Sequence, residues 1–203
     1  MRNALMRPPR AAATPHLEAA ARQAAPIRRN NPDGGVYTFK RYPFGELGTK
    51  LEPPVVDEIA AGLVDALKTF SGVTALVAPE PGGHTWGLVV AHLASLPLHI
   101  LRQRTTHWRD EVGMSRRTAY SHGTLFGAEL PRGQRIVVVD DVVSSGGTLA
   151  AIVGTLKAQG VDVAGAVVIL SKARGAVRMT AQLEIPVVAL LDEPATDEVG
   201  AKL

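Results

Sequence analysis

The sequence predicts an α/β domain: a mostly parallel central sheet with helices on both faces. Three observations carry that prediction. Short apolar runs rich in β-branched residues alternate along the chain with segments of helical apolar spacing. Several of the runs end in loops of small or acidic residues, as at PEPGG and DDVVSSGG. The length, 203 residues, suits a single domain with a full core.

The elements follow in order. Residues 1–14 are rich in Arg, Pro and Ala and predict a disordered extension before one domain spanning 15–203. Residues 15–25 favour a helix, with Pro15 in its first turn. A turn cluster at 30–35 leads into a strand over 36–42. Pro53 and Pro54 open a helix whose Val56, Ile59, Leu63 and Leu67 share one face. Residues 73–78 read as a buried strand, 85–95 as a helix and 98–102 as a strand. Residues 103–122 are polar, show no apolar period and predict a lid loop. Then come a strand at 135–139, a helix at 148–159 stopped by Gly160, and a strand at 163–170. A helix over 173–182 and a strand over 186–191 complete the domain. Ligands of such sheets bind at the carboxyl ends of strands, here loops 79–84, 103–122 and 140–148.

Composition narrows the function. Hydrophobic residues make up 46% and charged residues 20%, which is ordinary for a soluble globular protein. No apolar run approaches the roughly 18 residues of a membrane helix, and the first nine residues lack the apolar core of a secretory signal. The absence of cysteine excludes disulfides and thiolate metal sites and points to a reducing cytoplasm. The net charge is only +3, so nucleic acid is not an expected partner. Five arginines nevertheless fall between 102 and 117 against two acids, a local cluster suited to a small anion. His84, His92 and His99 match no metal-ligand spacing.

The chemistry concentrates between Ile136 and Leu156, IVVVDDVVSSGGTLAAIVGTL. A β-branched strand delivers Asp140 and Asp141, acceptor-only groups suited to the vicinal hydroxyls of a ribose. Val142 to Thr148 then offers backbone N–H groups, the hydroxyls of Ser144, Ser145 and Thr148, and a helix start, which together suit a phosphate. Gly146 and Gly147 allow close approach of the backbone. A P-loop is excluded because Thr148 stands where its lysine belongs. A dinucleotide fingerprint is excluded because the acids precede the glycines.

This segment resembles the phosphoribosyl-pyrophosphate signature of the type I phosphoribosyltransferases. VAPEPGGH (77–84), PLHILRQR (97–104), TAYS (118–121) and SKARG (171–175) stand in the family's order, and the resemblance spans roughly residues 16–192. The order is most similar to the archaeal-type adenine/hypoxanthine phosphoribosyltransferases. The resemblance implies that fold, with a small base-binding hood. It implies transfer of ribose 5-phosphate from phosphoribosyl pyrophosphate to a purine base, Mg²⁺ held mainly through the substrate near Asp140 and Asp141, and a homodimer.

By the same resemblance, Asp140, Asp141 and Arg102 form the catalytic group. Val143, Ser144, Ser145, Gly146, Gly147 and Thr148 hold the 5-phosphate. Glu80, Pro81, Gly82, Gly83, Arg102 and Arg104 hold pyrophosphate, and Val142, Lys172 and Asp192 line the base. The lid supplies His107, Arg109, Arg116, Arg117 and Tyr120 as candidates to exclude water. Lys172 after its strand favours a 6-oxopurine (hypoxanthine, guanine or xanthine) over adenine. Two departures stand out: Gln103 replaces a lysine that relatives carry after the arginine, and Ser144 replaces an acid that some use as a base. They keep open a second reading, a non-catalytic sensor of phosphoribosyl pyrophosphate. A third, an orotate enzyme, would carry lysines in the lid region, and residues 100–122 contain none.

Overall fold

The structure, a computed structural model, describes residues 14–30, 36–45, 50–117 and 122–193. The predicted extension before Thr14, the turn at 31–35 and the TAYS segment with Tyr120 lie outside the described residues, as does the side chain of Arg117.

The elements run α1 (Pro15–Gln23), β1 (Ala25–Asn30), β2 (Val36–Arg41), α2 (Pro53–Leu67), β3 (Ala75–Pro79), α3 (Gly83–Ala94), β4 (Leu98–Leu101), β5 (Glu111–Arg117), β6 (His122–Ala128), β7 (Arg135–Val143), α4 (Gly147–Ala158), β8 (Asp162–Lys172), α5 (Gly175–Leu183) and β9 (Val187–Glu193). Five strands form a parallel sheet in the order β4-β3-β7-β8-β9. Alternation along each strand divides the core between the two faces. Ile136, Val138 and Val168 pack with Ile152, Leu156 and Met179 on one side. Val137, Val139 and Val167 pack with Ile59, Leu63 and Val90 on the other. This is the sandwich of helices about a parallel sheet that the alternating pattern predicts.

The sheet order sets the site. β3 is followed in sequence by β4 on one flank, while its other neighbour, β7, is followed by β8 on the far flank. The connections after β3 and β7 therefore leave in opposite directions, and a crevice opens between them at the strand ends.

Two expectations are corrected. The helix predicted over 15–25 ends at Gln23, and β1 begins at Ala25 and pairs antiparallel with β2. Pro26 cannot supply a helical N–H and suits an edge strand, so the helix stops before it. The loop predicted over 103–122 is a strand over 111–117, paired in register with β6. Its apolar signal is one cross-strand pair, Met114 and Leu125, both fully buried. Every other residue from 107 to 117 except Val112 is polar, charged, glycine or the exposed Trp108, which hid the alternation.

Candidate active site

The crevice is built on the last residues of β7. The Asp141 N–H donates to Asp140 Oδ1 at 2.9 Å, and the Val142 N–H donates to Asp141 Oδ1 at 2.7 Å. The loop after β3 presses directly on both acids. A Cβ on Gly82 would stand 2.0 Å from Asp141 Oδ2, and one on Gly83 would stand 2.7 Å from Asp140 Oδ1. Only glycine lets this backbone approach so closely, and the contact joins loop 80–83 to the acids. Burial pushes the Asp140 carboxyl well above its usual range, and the charge of Asp141 adds to the rise. Arg116 is the positive charge that opposes it. Positive charge or hydroxyl donors entering the crevice would favour the ionised pair.

Beyond the acids lies a concavity lined by Asp140, Val142 to Leu149, and Val168. Gly146 caps α4 with φ +81, and a Cβ there would lie 2.0 Å from Met179 Sδ. α5 holds this loop from outside. Gly175 packs against the carbonyls of Val143 and Ser144, and Arg178 Nη2 donates to Ser144 O at 2.7 Å. Ser171, fully buried, accepts the Ala176 N–H at 3.1 Å and fixes the start of α5. The first turn of α4 contains no acid, so its N–H groups keep their partial positive charge for an anion. Val143 to Thr148 thus line one concavity.

On the opposite side, the Glu80–Pro81 peptide is cis. Glu80 ties loop 80–83 to the end of β4: Arg102 Nη1 stands 3.5 Å from its Oε1, and the Gln103 N–H donates to Oε2 at 2.9 Å. Gln103 therefore contributes here through its main chain, which its side-chain identity does not alter. Arg102 also exchanges backbone hydrogen bonds with Phe126, joining the central sheet to the β5–β6 hairpin.

The segment leading into that hairpin is held by Glu111. Its carboxylate accepts from the Thr105 hydroxyl and, at 2.7–2.8 Å, from the Thr106 hydroxyl and N–H, which lowers its pKa to about 2. Arg104, His107 and Arg109 are exposed, and Trp108 is 73% exposed. Of the lid residues whose side chains are described, only Arg116 is brought to the crevice: its Nη1 donates to Thr148 Oγ1 at 3.4 Å.

The far corner is charged. Lys172 ends β8 beside Glu193, the last residue of β9. Lys40 and the Tyr42 hydroxyl both donate to the Glu193 carboxylate, and Lys172 Nζ lies 5.9 Å from the Tyr42 ring. Tyr42 stacks on Phe44 at 5.3 Å, and Phe44 O accepts from Trp86 Nε1 at 2.8 Å. Burial lowers the Lys172 pKa, with Glu193 opposing and Lys40 reinforcing the shift. Burial works against ionised Glu193, yet hydrogen bonds from Lys40 and Tyr42 and the charges of Lys40 and Lys172 hold its carboxyl below the usual range.

Asp192, predicted at this corner, is exposed, and the strand's period of two gives the position to Glu193. Lys40, Tyr42 and Glu193 escaped the sequence reading. The last strand was expected to stop at 191, and nothing local to 36–42 says that it meets β9. Among the described residues no group of three or more His, Asp or Glu side chains is arranged to hold a metal.

Known proteins are similar to this chain in sequence and in fold. The family described as "Phosphoribosyl transferase domain" matches residues 50–184. HGPRTase-like protein 3 of Haloterrigena turkmenica is 33% identical over 72% of this chain and 77% of its own length. The hypoxanthine/guanine phosphoribosyltransferase of Methanosarcina barkeri is 31% identical over 70% of this chain and 74% of its own. Among solved structures, adenine phosphoribosyltransferase from Rhodothermus marinus superposes with a TM-score of 0.69 at 22% identity, covering 87% of this chain and 98% of that one. The fold is therefore the one these proteins share.

Proposed function

The chain belongs to the phosphoribosyl transferase family, among the purine phosphoribosyltransferases, and from that premise we propose that it transfers ribose 5-phosphate from phosphoribosyl pyrophosphate to a 6-oxopurine. The observation that carries the reading is the meeting of three elements at one crevice: paired acids, a neutral phosphate cradle and a glycine loop pressed on those acids. In this reading the 5-phosphate sits on residues 143–148 and the ribose hydroxyls donate to Asp140 and Asp141. Pyrophosphate lies toward Gly82, Gly83 and Arg102, with Arg104 near the exit. The base occupies the corner of Val142 and Lys172.

The reaction breaks the bond from the anomeric carbon to pyrophosphate and forms one to a ring nitrogen of the base. Positive charge develops on the sugar, so the half-buried acid pair favours the transition state electrostatically. Negative charge develops on the leaving group, where Arg102 helps to absorb it. The Asp140 and Asp141 carboxylates are hard oxygen ligands that fit Mg²⁺ held mainly through the phosphate oxygens of the donor. Mg²⁺ bound through the substrate would neutralise pyrophosphate charge. Residues 103–122, with His107, Arg109, Arg116, Arg117 and Tyr120, are the candidates to exclude water during transfer.

Two features favour 6-oxopurines. Lys172 stands at the strand end with its ammonium half-buried, a donor suited to an exocyclic oxygen. The archaeal relatives named above carry the name hypoxanthine/guanine phosphoribosyltransferase or its abbreviation. Cytoplasmic salvage by a homodimer belongs to the same reading. Leu88 and Leu93, exposed on α3 beside the edge strand β4, support a protein contact there. Incubation with phosphoribosyl pyrophosphate, Mg²⁺ and each of hypoxanthine, guanine, xanthine, adenine and orotate tests the activity. Nucleotide and pyrophosphate should appear with a 6-oxopurine. Tight donor binding without turnover of any base would instead make the chain a sensor.

A further inference from the structure

The phosphate cradle has a property that its own sequence does not explain. Residues 142–149 carry no charged side chain, although a phosphate monoester bears close to two negative charges at neutral pH. A helix start supplies only about half an elementary charge. Arg178 touches the loop, but its guanidinium donates to the carbonyls of Ser144 and Ala173 on the exposed side. Arg116 differs. β5 runs along α4 and sets Arg116 at the far end of the strand from Glu111, close to the helix start. Its Nη1 reaches Thr148 Oγ1 only at 3.4 Å, a long hydrogen bond. Its Nε is buried and has no hydrogen-bond partner among the described residues. Its charge also acts on the Asp140 carboxyl.

We propose that Arg116 is a binding residue for the 5-phosphate of the donor, reaching from the hairpin to place a guanidinium on an otherwise neutral cradle. The inference rests on the phosphoribosyltransferase reading and deepens it. A half-buried, under-used guanidinium beside a hydroxyl and a helix start presents donors in the geometry that phosphate oxygens accept. The hairpin would then do more than cover the site. It would register whether the sugar is phosphorylated, because the hairpin meets the cradle through Arg116. Arg116 thereby becomes a determinant of specificity for ribose 5-phosphate over the unphosphorylated sugar.

The test titrates ribose 5-phosphate and, separately, pyrophosphate into the full chain by calorimetry, for the wild type, Arg116→Gln and Arg116→Lys. Arg116→Gln should weaken ribose 5-phosphate about ten- to hundredfold and leave pyrophosphate affinity unchanged. Arg116→Lys should recover part of the loss. In turnover, KM for phosphoribosyl pyrophosphate should rise while kcat at saturating donor stays within a few-fold. Equal losses for both probes would mean that Arg116 merely supports the fold, and no loss for either would remove it from the site; both results overturn the inference. Should Arg116→Gln fail to fold, the wild-type Nε–H resonance, assigned by its absence in Arg116→Lys, decides. It must shift on adding ribose 5-phosphate, and an unmoved resonance overturns the inference. These results are separable from the activity itself: wild-type turnover with an indifferent Arg116 leaves the enzyme and sinks only this role. A wild type that neither turns over nor binds ribose 5-phosphate sinks both.

Discussion

At the proposed phosphate end of the crevice, residues 142–149 offer backbone groups and hydroxyls held from behind by α5, whereas at the proposed base end Lys40, Tyr42, Lys172 and Glu193 converge as ionisable side chains. The first is one contiguous loop whose shape is fixed by glycine packing. The second is assembled from β2 and from the ends of β8 and β9, and its geometry depends on the hairpin of β1 and β2 meeting the sheet. A phosphate has one shape and can be met by a rigid, preorganised surface. Bases differ in their exocyclic groups, and side chains can be exchanged to suit them without touching the loop. The two ends should therefore fail differently when altered.

The largest effect should come from the acids between the two ends. Asp140→Asn combined with Asp141→Asn is expected to abolish turnover, a loss of at least about 10²–10³ in kcat, with the circular-dichroism spectrum unchanged. Gly146→Ala attacks the phosphate end alone. It forces an L side chain to φ +81 and into Met179, so a stability loss of about 1–3 kcal/mol should appear in denaturant melts together with weaker binding of ribose 5-phosphate. Lys172→Gln attacks the base end alone. KM for the 6-oxopurine should rise about tenfold, while the affinity for ribose 5-phosphate stays at the wild-type value. A parallel change in both would erase the distinction between the two ends.

The smallest effect concerns the segment before β5. The Glu111 pKa is lowered in the folded chain to about 2 from an ordinary 4.5. Its contribution is present above about pH 4.5 and is lost as pH falls toward 2. Emission from the exposed Trp108, taken as the difference between the wild type and Trp108→Phe, should shift through that window and become flat in Glu111→Gln. A shift that persists in Glu111→Gln would assign the transition to another group.

The same contrast explains what the sequence disclosed. The proposed phosphate end is local: strand, acids, glycines and helix start follow one another within 135–148, so its proposed chemistry is legible in one stretch of sequence. The central sheet was legible because buried parallel strands are nearly continuous apolar runs, as in IVVV and AVVIL. The base corner was not, apart from Lys172. Lys40 and Glu193 are 153 positions apart, and only the docking of the β1–β2 hairpin on the end of β9 brings them together. The β5–β6 hairpin escaped for a different reason. It buries a single cross-strand pair, too little alternation to stand out among arginines and threonines, and β1 was obscured by a helix-favouring stretch that Pro26 interrupts.

The account stands on one placement, which a crystal structure with bound inosine monophosphate measures most directly. The phosphate is expected on the N–H and hydroxyl groups of residues 144–148, with the ribose over Asp140 and Asp141 and the base oxygen at Lys172. A nucleotide bound elsewhere on the chain, with that concavity empty, would contradict it.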